Sequence, residues 1–272
     1  MSNYTLPQLL DLLWRDYVET NPPAQRIYDL FTSKGEKVVN DHIAFRTYNH
    51  PGINVDVLGK VFTDLEYTQK GEYHFEQKKL YAKHFEHPDP IMPLIFISQL
   101  KTEEFDQNTQ QIIDRLIRQI PEDFTSDPSF VFGGRPWELS FDQYIALKKV
   151  SEYAAWMAAY GFRVNHFTVS INHLKNFDSS YKVNQFLKKN GFQLNDSGGE
   201  VKGTPEDLLE QSSTIAYNKE ITFSDGKHII PACYYEFAKR YPKSDGSLFR
   251  GFIAGSADKI FESTDKGQDY KM

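Results

Sequence analysis

Hydrophobic positions recur along the chain with two different spacings, and their order predicts an alternation of helices and strands. Residues 5–19 place leucines three and four positions apart, as in an amphipathic helix, and a second helix is predicted after Pro22 and Pro23. Residues 35–100 then show the order strand, helix, strand, strand, strand. Residues 105–160 are predicted to be mostly helical, with one helix running unbroken through "SFDQYIALKKVSEYAAWMAAYG".

The same order of elements returns in the second half of the chain. A strand is predicted in "FRVNHFTVSIN" and a helix in "SSYKVNQFLKKNG". Three strands follow in "FQLND", "STIAYNKEITF" and "HIIPACYYEFAKRY", with Asp225-Gly226 as the hairpin turn between the last two. The order strand, helix and three strands is thus repeated with little sequence identity.

This repeat predicts an α+β fold with two βαβββ modules in a single catalytic domain, residues 1–272. The predicted parts are N-terminal helices 1–34, a first module 35–104, a helical insertion 105–160, a second module 161–245 and a closing segment 246–272.

The first strand of the first module combines an apolar pattern with two polar side chains. In "VNDHIAFRTY", His42 and Arg46 lie four positions apart with Ala44 between them. Successive side chains of a strand point to opposite faces, so these three share one face. An imidazole and a guanidinium on one face predict a polar pocket at this strand.

The repeat also pairs two histidines. "NDHIAF" in the first module aligns with "VNHFTV" in the second, which places His42 and His166 at matching positions. The last predicted strand carries Glu236 among aromatic residues, where a buried carboxylate needs a compensating partner. Two histidines and one carboxylate form the facial triad of non-haem Fe2+ oxygenases, which leaves open positions on the ion. We therefore predict a metal centre between the modules, with Arg46 beside it to bind a substrate carboxylate.

A less specific interpretation of these residues stays open. A histidine on a strand is more often hydrogen-bonded within a core than bound to a metal ion. Glu236 could instead form an ion pair with Lys239, Arg240 or Arg46. The matching positions of the two histidines favour the metal centre without excluding this alternative.

Other histidines are weaker candidates for metal ligands. His84 and His87 are surrounded by charged residues, which predicts a solvated surface position. His228 shares a predicted strand with Glu236, but eight residues at the usual rise separate them by about 26 Å. The remaining residues with ligand chemistry are predicted to be structural, packed or exposed: His50, His74, His173 and Cys233.

Composition argues against several classes of protein. The chain of 272 residues has a formal net charge of -6, whereas nucleic-acid binding requires a basic surface. Its one cysteine excludes an intramolecular disulfide and a cysteine-rich zinc site, and fits a reducing compartment. No apolar run approaches the ~20 residues of a membrane span, and the N-terminal segment does not resemble a signal peptide. We therefore predict a cytoplasmic protein that binds neither nucleic acid nor membrane.

Four segments, in order, resemble the 2-oxoadipate dioxygenase/decarboxylase family: "NDHIAFRTY", "AAWMAAYGFRVNHFTVSIN", "YYEFAKR" and "GFIAGSADKIFEST". The resemblance covers about residues 36–266. This family is related in fold to the vicinal oxygen chelate superfamily. The resemblance therefore implies that the two modules form a central mixed sheet or partial barrel around a metal site, with added helices.

The resemblance also implies roles for individual residues. The metal ligands of the family fall on His42, His166 and Glu236, and its arginine for the substrate carboxylate falls on Arg46, which is thereby the catalytic candidate. A late segment is similar to one that closes over the substrate. The implied substrate contacts are His42, Arg46, His166, Gly255 and Ser256.

The activity implied by the resemblance is an Fe2+-dependent oxidation of a 2-oxo dicarboxylic acid. It converts 2-oxoadipate and O2 to 2-hydroxyglutarate and CO2, as in lysine catabolism, without an organic cofactor. Two alternatives stay open on the residues alone. One is a redox-neutral lyase, isomerase or hydrolase that uses Zn2+ or Mn2+, and the other is a non-catalytic binding protein with a structural polar network.

Overall fold

The computed structural model describes residues 4–253, and Gly255, Ser256 and the rest of the predicted closing segment from residue 254 lie outside these described residues. None of the helices within residues 4–253 has the length and apolar character that a bilayer crossing requires. The helices are α1 Leu6–Thr20, α2 Pro22–Ser33, α3 Val55–Thr63, α4 Gln107–Ile117, α5 Phe141–Lys148, α6 Glu152–Tyr160 and α7 Ser180–Lys189. The strands are β1 Asn40–Tyr48, β2 Thr68–Phe75, β3 Leu80–Glu86, β4 Leu94–Leu100, β5 Val164–Ser170, β6 Leu209–Ser213, β7 Asn218–Phe223, β8 Gly226–Pro231 and β9 Glu236–Arg240.

The first module has the predicted order of elements. β1 leads into α3, whose first turn is capped by the side chain of Asn54, and the antiparallel strands β2, β3 and β4 follow. β4 returns to pair in parallel with β1, with His42 opposite Leu94 and Arg46 opposite Ser98. β4 is buried along nearly its whole length, which explains its continuous apolar sequence.

The second module keeps the core of this order but departs from the predicted strands. β9 lies between β5 and β6, parallel to the first and antiparallel to the second, as β4 lies between β1 and β3. The predicted strand "FQLND" forms only an isolated bridge, from Leu194 to Thr214. Gly198, Gly199 and Gly203 have positive φ angles, so the chain turns after this bridge instead of extending along the sheet.

The segment predicted as one long strand, residues 228–241, is in fact two strands in different sheets. β8 pairs with β7 around the predicted Asp-Gly turn in a separate hairpin, and β9 begins only at Glu236. Residues 232–235 leave the hairpin and exchange backbone hydrogen bonds with the loop that joins β6 and β7. The predicted separation of His228 and Glu236 assumed one straight strand, and this assumption is wrong. The ring of His228 nevertheless packs on Phe141, with ring centres 3.6 Å apart.

β1 and β5 join the two modules. They pair antiparallel, with His42 opposite Thr168 and Ala44 opposite His166. The seven-stranded sheet has the order β2-β3-β4-β1-β5-β9-β6 and is curled into a half-barrel. The predicted α+β fold, with paired modules around one mixed sheet, is confirmed.

One predicted helix of the insertion is broken into two. α5 ends at Lys148, and α6 begins after Ser151, whose hydroxyl accepts a hydrogen bond from the N–H of Ala154. This cap starts a new helix, and Val150, which lies between the two helices, is 47% exposed. The break places Glu152 in the first turn of α6.

The helix α1 packs against β5 and holds the segment that precedes β9. Trp14 and Tyr17 contact the ring of Phe167 on β5. The hydroxyl of Tyr17, fully buried, donates a hydrogen bond to the backbone carbonyl of Tyr234 and accepts one from the side chain of Asn21. An N-terminal helix thus fixes the chain two residues before Glu236.

We expect Tyr17→Phe to lower the free energy of unfolding by about 1–3 kcal/mol, because a buried carbonyl and a buried amide each lose a partner. Urea denaturation followed by circular dichroism measures the change. Tyr181→Phe is the matched control, since Tyr181 is 68% exposed, and should change stability by no more than about 0.5 kcal/mol. Equal effects of the two substitutions would contradict the role of the Tyr17 hydroxyl.

Candidate metal centre

Three buried side chains from adjacent strands converge at the middle of the sheet. His42 lies on β1, His166 on β5, and Glu236 is the first residue of β9. The strand pairing brings them together, because Thr168 on β5 lies opposite both His42 and Glu236. The two Nε2 atoms are 3.4 Å apart, and Glu236 places Oε1 3.4 Å from His42 and Oε2 3.5 Å from His166. The three side chains predicted to form one site therefore do lie together.

Each histidine is oriented by the residue that precedes it. The Nδ1 of His42 lies 2.8 Å from Oδ1 of Asp41, and the Nδ1 of His166 lies 3.0 Å from Oδ1 of Asn165. Because both oxygens are acceptors, Nδ1 is the donor in each ring, and Nε2 faces the other side chains of the group. Asp41 and Asn165 occupy matching positions of the repeat. The sequence carries this signal in "NDH" and "VNH", but periodicity alone does not reveal it.

Burial shifts the pKa values of two of the three converging side chains, His166 and Glu236. Burial, with His42 and Arg46 nearby, lowers the pKa of His166 well below its usual value, so its imidazole is neutral. Burial raises the pKa of Glu236, although His42 and a 2.7 Å hydrogen bond from Gln211 oppose the change. The Oε2 atom of Glu236 has no hydrogen-bond partner among residues 4–253.

This set of donor atoms fits a divalent metal ion. Two imidazole lone pairs and a carboxylate facing one another are unfavourable unless a positive charge lies between them. Ligand atoms about 2.1 Å from a shared ion lie about 3.0–3.4 Å apart, close to the 3.4–3.5 Å observed here. His42 has one uncharged alternative, the hydroxyl of Thr168 at 3.1 Å. Within the described part of the chain, His42, His166 and Glu236 are the one group of this kind that could hold an ion.

The guanidinium of Arg240 links Asp41, the residue that orients His42, to the segment after β9. Arg240 donates to both carboxylate oxygens of Asp41, at 2.7 and 2.8 Å, and to two backbone carbonyls of residues 248–252, here called the strap. Although burial acts against it, this pairing holds the pKa of Asp41 below its usual range, so the carboxylate is charged. The strap brings Phe252 edge-on to the ring of His42, with ring centres 4.9 Å apart.

Arg46 lies buried on the His42 face of β1, and its charge is balanced by a residue far away in the sequence. Its Nη1 is 3.1 and 3.2 Å from the two oxygens of Glu152, and its guanidinium lies over the rings of Tyr153 and Trp156. Glu152 raises the pKa of Arg46 against the effect of burial, so the side chain stays charged. All three partners belong to α6, so the surroundings of Arg46 depend on the break between α5 and α6, which the hydrophobic periodicity did not predict.

The ion-pair alternatives for Glu236 are not what the structure shows. Arg240 pairs with Asp41, and Arg46 pairs with Glu152, while the side chain of Glu236 contacts Gln211 and the two histidines.

The rival histidines lie elsewhere. The predicted surface position of His84 is wrong, because it is only 4% exposed and its Nδ1 is 2.8 Å from the hydroxyl of Tyr73. The strand alternation of β3 turns His84 toward the inside, where its charged neighbours in sequence do not follow. His87 is partly buried, Cys233 is buried as predicted, and the exposed histidines are His50, His74 and His173.

Comparison with known proteins places this chain in a family. Residues 8–128 and 135–245 match the family described as 2-oxoadipate dioxygenase/decarboxylase. A curated protein of Oryza sativa subsp. japonica, named 2-oxoadipate dioxygenase/decarboxylase, chloroplastic/amyloplastic, is 36% identical over 278 residues. The match covers 93% of this chain and 76% of the rice protein.

Solved structures are similar over nearly the whole chain. The hydroxyglutarate synthase of Oryza sativa, in complex with 2-oxoadipate, is 35% identical with a TM-score of 0.89, over 94% of this chain and 91% of that chain. A protein of Shewanella frigidimarina named as a candidate hydrolase is 50% identical with a TM-score of 0.90, over 93% of this chain and 100% of that chain.

A more distant structure shows the kinship of the fold. A member of the glyoxalase superfamily from Ralstonia eutropha has a TM-score of 0.77 at 18% identity, over 90% of this chain and 84% of that chain. This chain and that glyoxalase-superfamily protein therefore share the half-barrel fold of paired modules.

We expect the protein to bind one divalent ion per chain, with Mn2+ as an air-stable probe. His42→Ala, His166→Ala and Glu236→Gln should each abolish tight binding, because each removes one of three ligands. The electron paramagnetic resonance signal of free Mn2+ during a titration gives the affinity. His173→Ala is the control, since His173 is exposed and should leave the titration unchanged. Retained stoichiometric binding in all three variants would exclude this site.

We expect Arg240→Lys to weaken Mn2+ binding about 10- to 100-fold, because lysine keeps the charge but cannot donate to both oxygens of Asp41 and to the strap. The same titration measures the loss. Arg250→Lys is the matched control: Arg250 anchors the strap to Glu86 and Pro90, and none of its hydrogen bonds described here reaches Asp41. Equal affinities of the two variants would contradict the role assigned to Arg240.

Proposed function

The chain belongs to the 2-oxoadipate dioxygenase/decarboxylase family, and from this premise we propose that it is an enzyme that converts 2-oxoadipate and O2 to 2-hydroxyglutarate and CO2. The observation that carries the proposal is the buried set of two histidines and one carboxylate, in a chain 35% identical to a hydroxyglutarate synthase bound to 2-oxoadipate. The reaction balances without a second organic substrate, since O2 oxidises the keto acid and the lost carbon leaves as CO2.

We propose Fe2+ as the ion held by His42, His166 and Glu236, without an organic cofactor. Two histidines and one carboxylate are the ligands of non-haem iron oxygenases. Bound Fe2+ would supply open positions for chelation of a 2-oxo acid and would activate O2. Affinity alone does not select iron, so purified protein is expected to carry whichever divalent ion was available.

Arg46 is the proposed group for a substrate carboxylate. It is charged, lies on the same face of β1 as His42, and presents a planar fork that suits carboxylates. Glu152 and the two rings of α6 hold the guanidinium in one position before substrate arrives. Less conformational entropy is then lost when the substrate binds.

Aromatic side chains cover the ligand His42 on the side of the strap. Phe252 contacts the rings of His42 and Phe96, with ring centres 4.9 and 4.7 Å apart. Such an apolar wall excludes water from the reacting groups and strengthens the electrostatic contacts of Arg46.

A redox-neutral reaction on the same metal site is the second candidate. The Shewanella frigidimarina protein, 50% identical, is named as a candidate hydrolase. A hydrolase, lyase or isomerase would need the metal ion but would consume no O2, so oxygen uptake separates the two candidates.

We also propose a cytoplasmic location, which rests on the single buried cysteine and its fit to a reducing compartment. The rice relative is named as a plastid protein. Fractionation of the source cells tests this location. Recovery of the protein in a particulate or exported fraction would contradict the proposal.

We expect the Fe2+-loaded protein to consume O2 when 2-oxoadipate is added, with one CO2 released per O2. An oxygen electrode and a CO2 assay, on protein loaded under anaerobic conditions, measure both. His42→Ala should abolish uptake, and His173→Ala should keep it. Metal-dependent turnover of a substrate without oxygen uptake would favour the redox-neutral candidate instead.

A further inference from the structure

The side chain of Tyr234 lies against the metal centre without being one of its three candidate ligands. Its ring is stacked on His166, with ring centres 4.7 Å apart and an angle of 25° between the planes. The side chain is fully buried, and its hydroxyl has no hydrogen-bond partner among residues 4–253. A buried hydroxyl without a partner is unfavourable, and a ligand that accepts a hydrogen bond from it would remove that cost.

The chain around Tyr234 is held in place from two helices. Tyr234 precedes Glu236 by two residues, and the stacking of its ring on His166 places its side chain on the side of the metal centre. Tyr17 bonds the carbonyl of Tyr234, and Trp156 bonds that of Ala232, so the segment is held from α1 and α6.

The surroundings of the hydroxyl are polar and ionic. Glu236 and Arg46 both act electrostatically on Tyr234. A phenol hydroxyl can donate a hydrogen bond, and the guanidinium of Arg46 is a second donor on the same side of the site.

The neighbouring Tyr235 shows that burial without a partner does not by itself define a ligand site. Tyr235 is also fully buried, and its hydroxyl also lacks a partner within the described residues. Its ring, however, lies on the opposite side of the segment, among Trp14, Tyr17 and Phe237. Tyr234, unlike Tyr235, combines a hydroxyl that lacks a partner among the described residues with stacking on His166 and with the charges of Glu236 and Arg46.

We propose that Tyr234 is a substrate-binding residue whose hydroxyl, together with Arg46, donates a hydrogen bond to the distal carboxylate of the 2-oxo dicarboxylic acid. This proposal rests on the proposed function. The keto acid end of the substrate belongs at the metal ligands, so a second carboxylate needs donors at some distance from those ligands. A neutral donor beside a guanidinium is complementary to that carboxylate, and the distal group would accept a hydrogen bond from a phenol that has no partner among residues 4–253.

The test is the binding of two acids to Mn2+-loaded protein under argon, measured by isothermal titration calorimetry without turnover. 2-Oxoadipate carries the distal carboxylate, and 2-oxohexanoate has the same chain length without it. We expect Tyr234→Phe to bind 2-oxoadipate about 10- to 100-fold more weakly and 2-oxohexanoate within about threefold of the unchanged protein. Tyr235→Phe is the matched control and should leave both affinities unchanged.

The stability of Tyr234→Phe toward urea is a second readout. A purely structural role of the hydroxyl predicts that this substitution lowers the stability, whereas a role in substrate binding does not. Because the Tyr234 hydroxyl has no partner among residues 4–253, Tyr234→Phe should leave the midpoint of urea denaturation unchanged or raise it. A clear loss of stability would show that the hydroxyl is bonded within the protein and would overturn the proposal.

The binding outcomes separate this inference from the function on which it rests. Equal binding of 2-oxoadipate by the unchanged protein and Tyr234→Phe, or an equal loss for both acids, would overturn the role of Tyr234 alone. Failure of the unchanged, metal-loaded protein to bind 2-oxoadipate would overturn the proposed substrate, and with it the ligand assigned to Tyr234.

Discussion

The antiparallel pairing of β1 with β5 is the contact on which the candidate site depends. Each βαβββ module carries one histidine near the start of its first strand, and neither module alone holds a set of ligands. The pairing places His42 opposite Thr168, and the parallel pairing of β5 with β9 places Thr168 opposite Glu236. A shift of one residue in either ladder would turn one side chain to the other face of the sheet. The register of two strand pairs therefore decides whether a metal centre exists.

Around this centre, buried charges are balanced by partners from distant parts of the chain. Asp41 is paired with Arg240, which lies 199 residues further along, and Arg46 is paired with Glu152, 106 residues further along. A buried charge without its partner costs several kcal/mol, so these pairs hold one arrangement of the site even where they add little net stability. Glu236 differs, because its partners are a glutamine and two histidines. Its excess negative charge is what a cation would neutralise.

Two features that are not repeated between the modules, the β7–β8 hairpin and the break before α6, position side chains at the site. In the first module β4 follows β3 directly, whereas in the second the β7–β8 hairpin is inserted between β6 and β9. The chain returns from this hairpin through residues 232–235, which are bonded to the β6–β7 loop, to α1 and to α6. This irregular segment places Tyr234 beside His166 and Tyr235 in the aromatic cluster under α1. The break before α6 acts similarly, since it turns Glu152 and Trp156 toward Arg46.

The sequence by itself determined the α+β class, the repeated order of elements and the three side chains that meet at the centre. These features depend on local periodicity and on residue types at matching positions, and both can be recognised without coordinates. Only the tertiary structure decided the partners of those side chains: Asp41 with Arg240, Arg46 with Glu152, and Tyr234 with His166. It also corrected the long final strand, the unbroken helix and the surface position of His84. Contacts between residues a hundred or more positions apart leave no local pattern, because they follow from how the strands pair and how the helices pack on them.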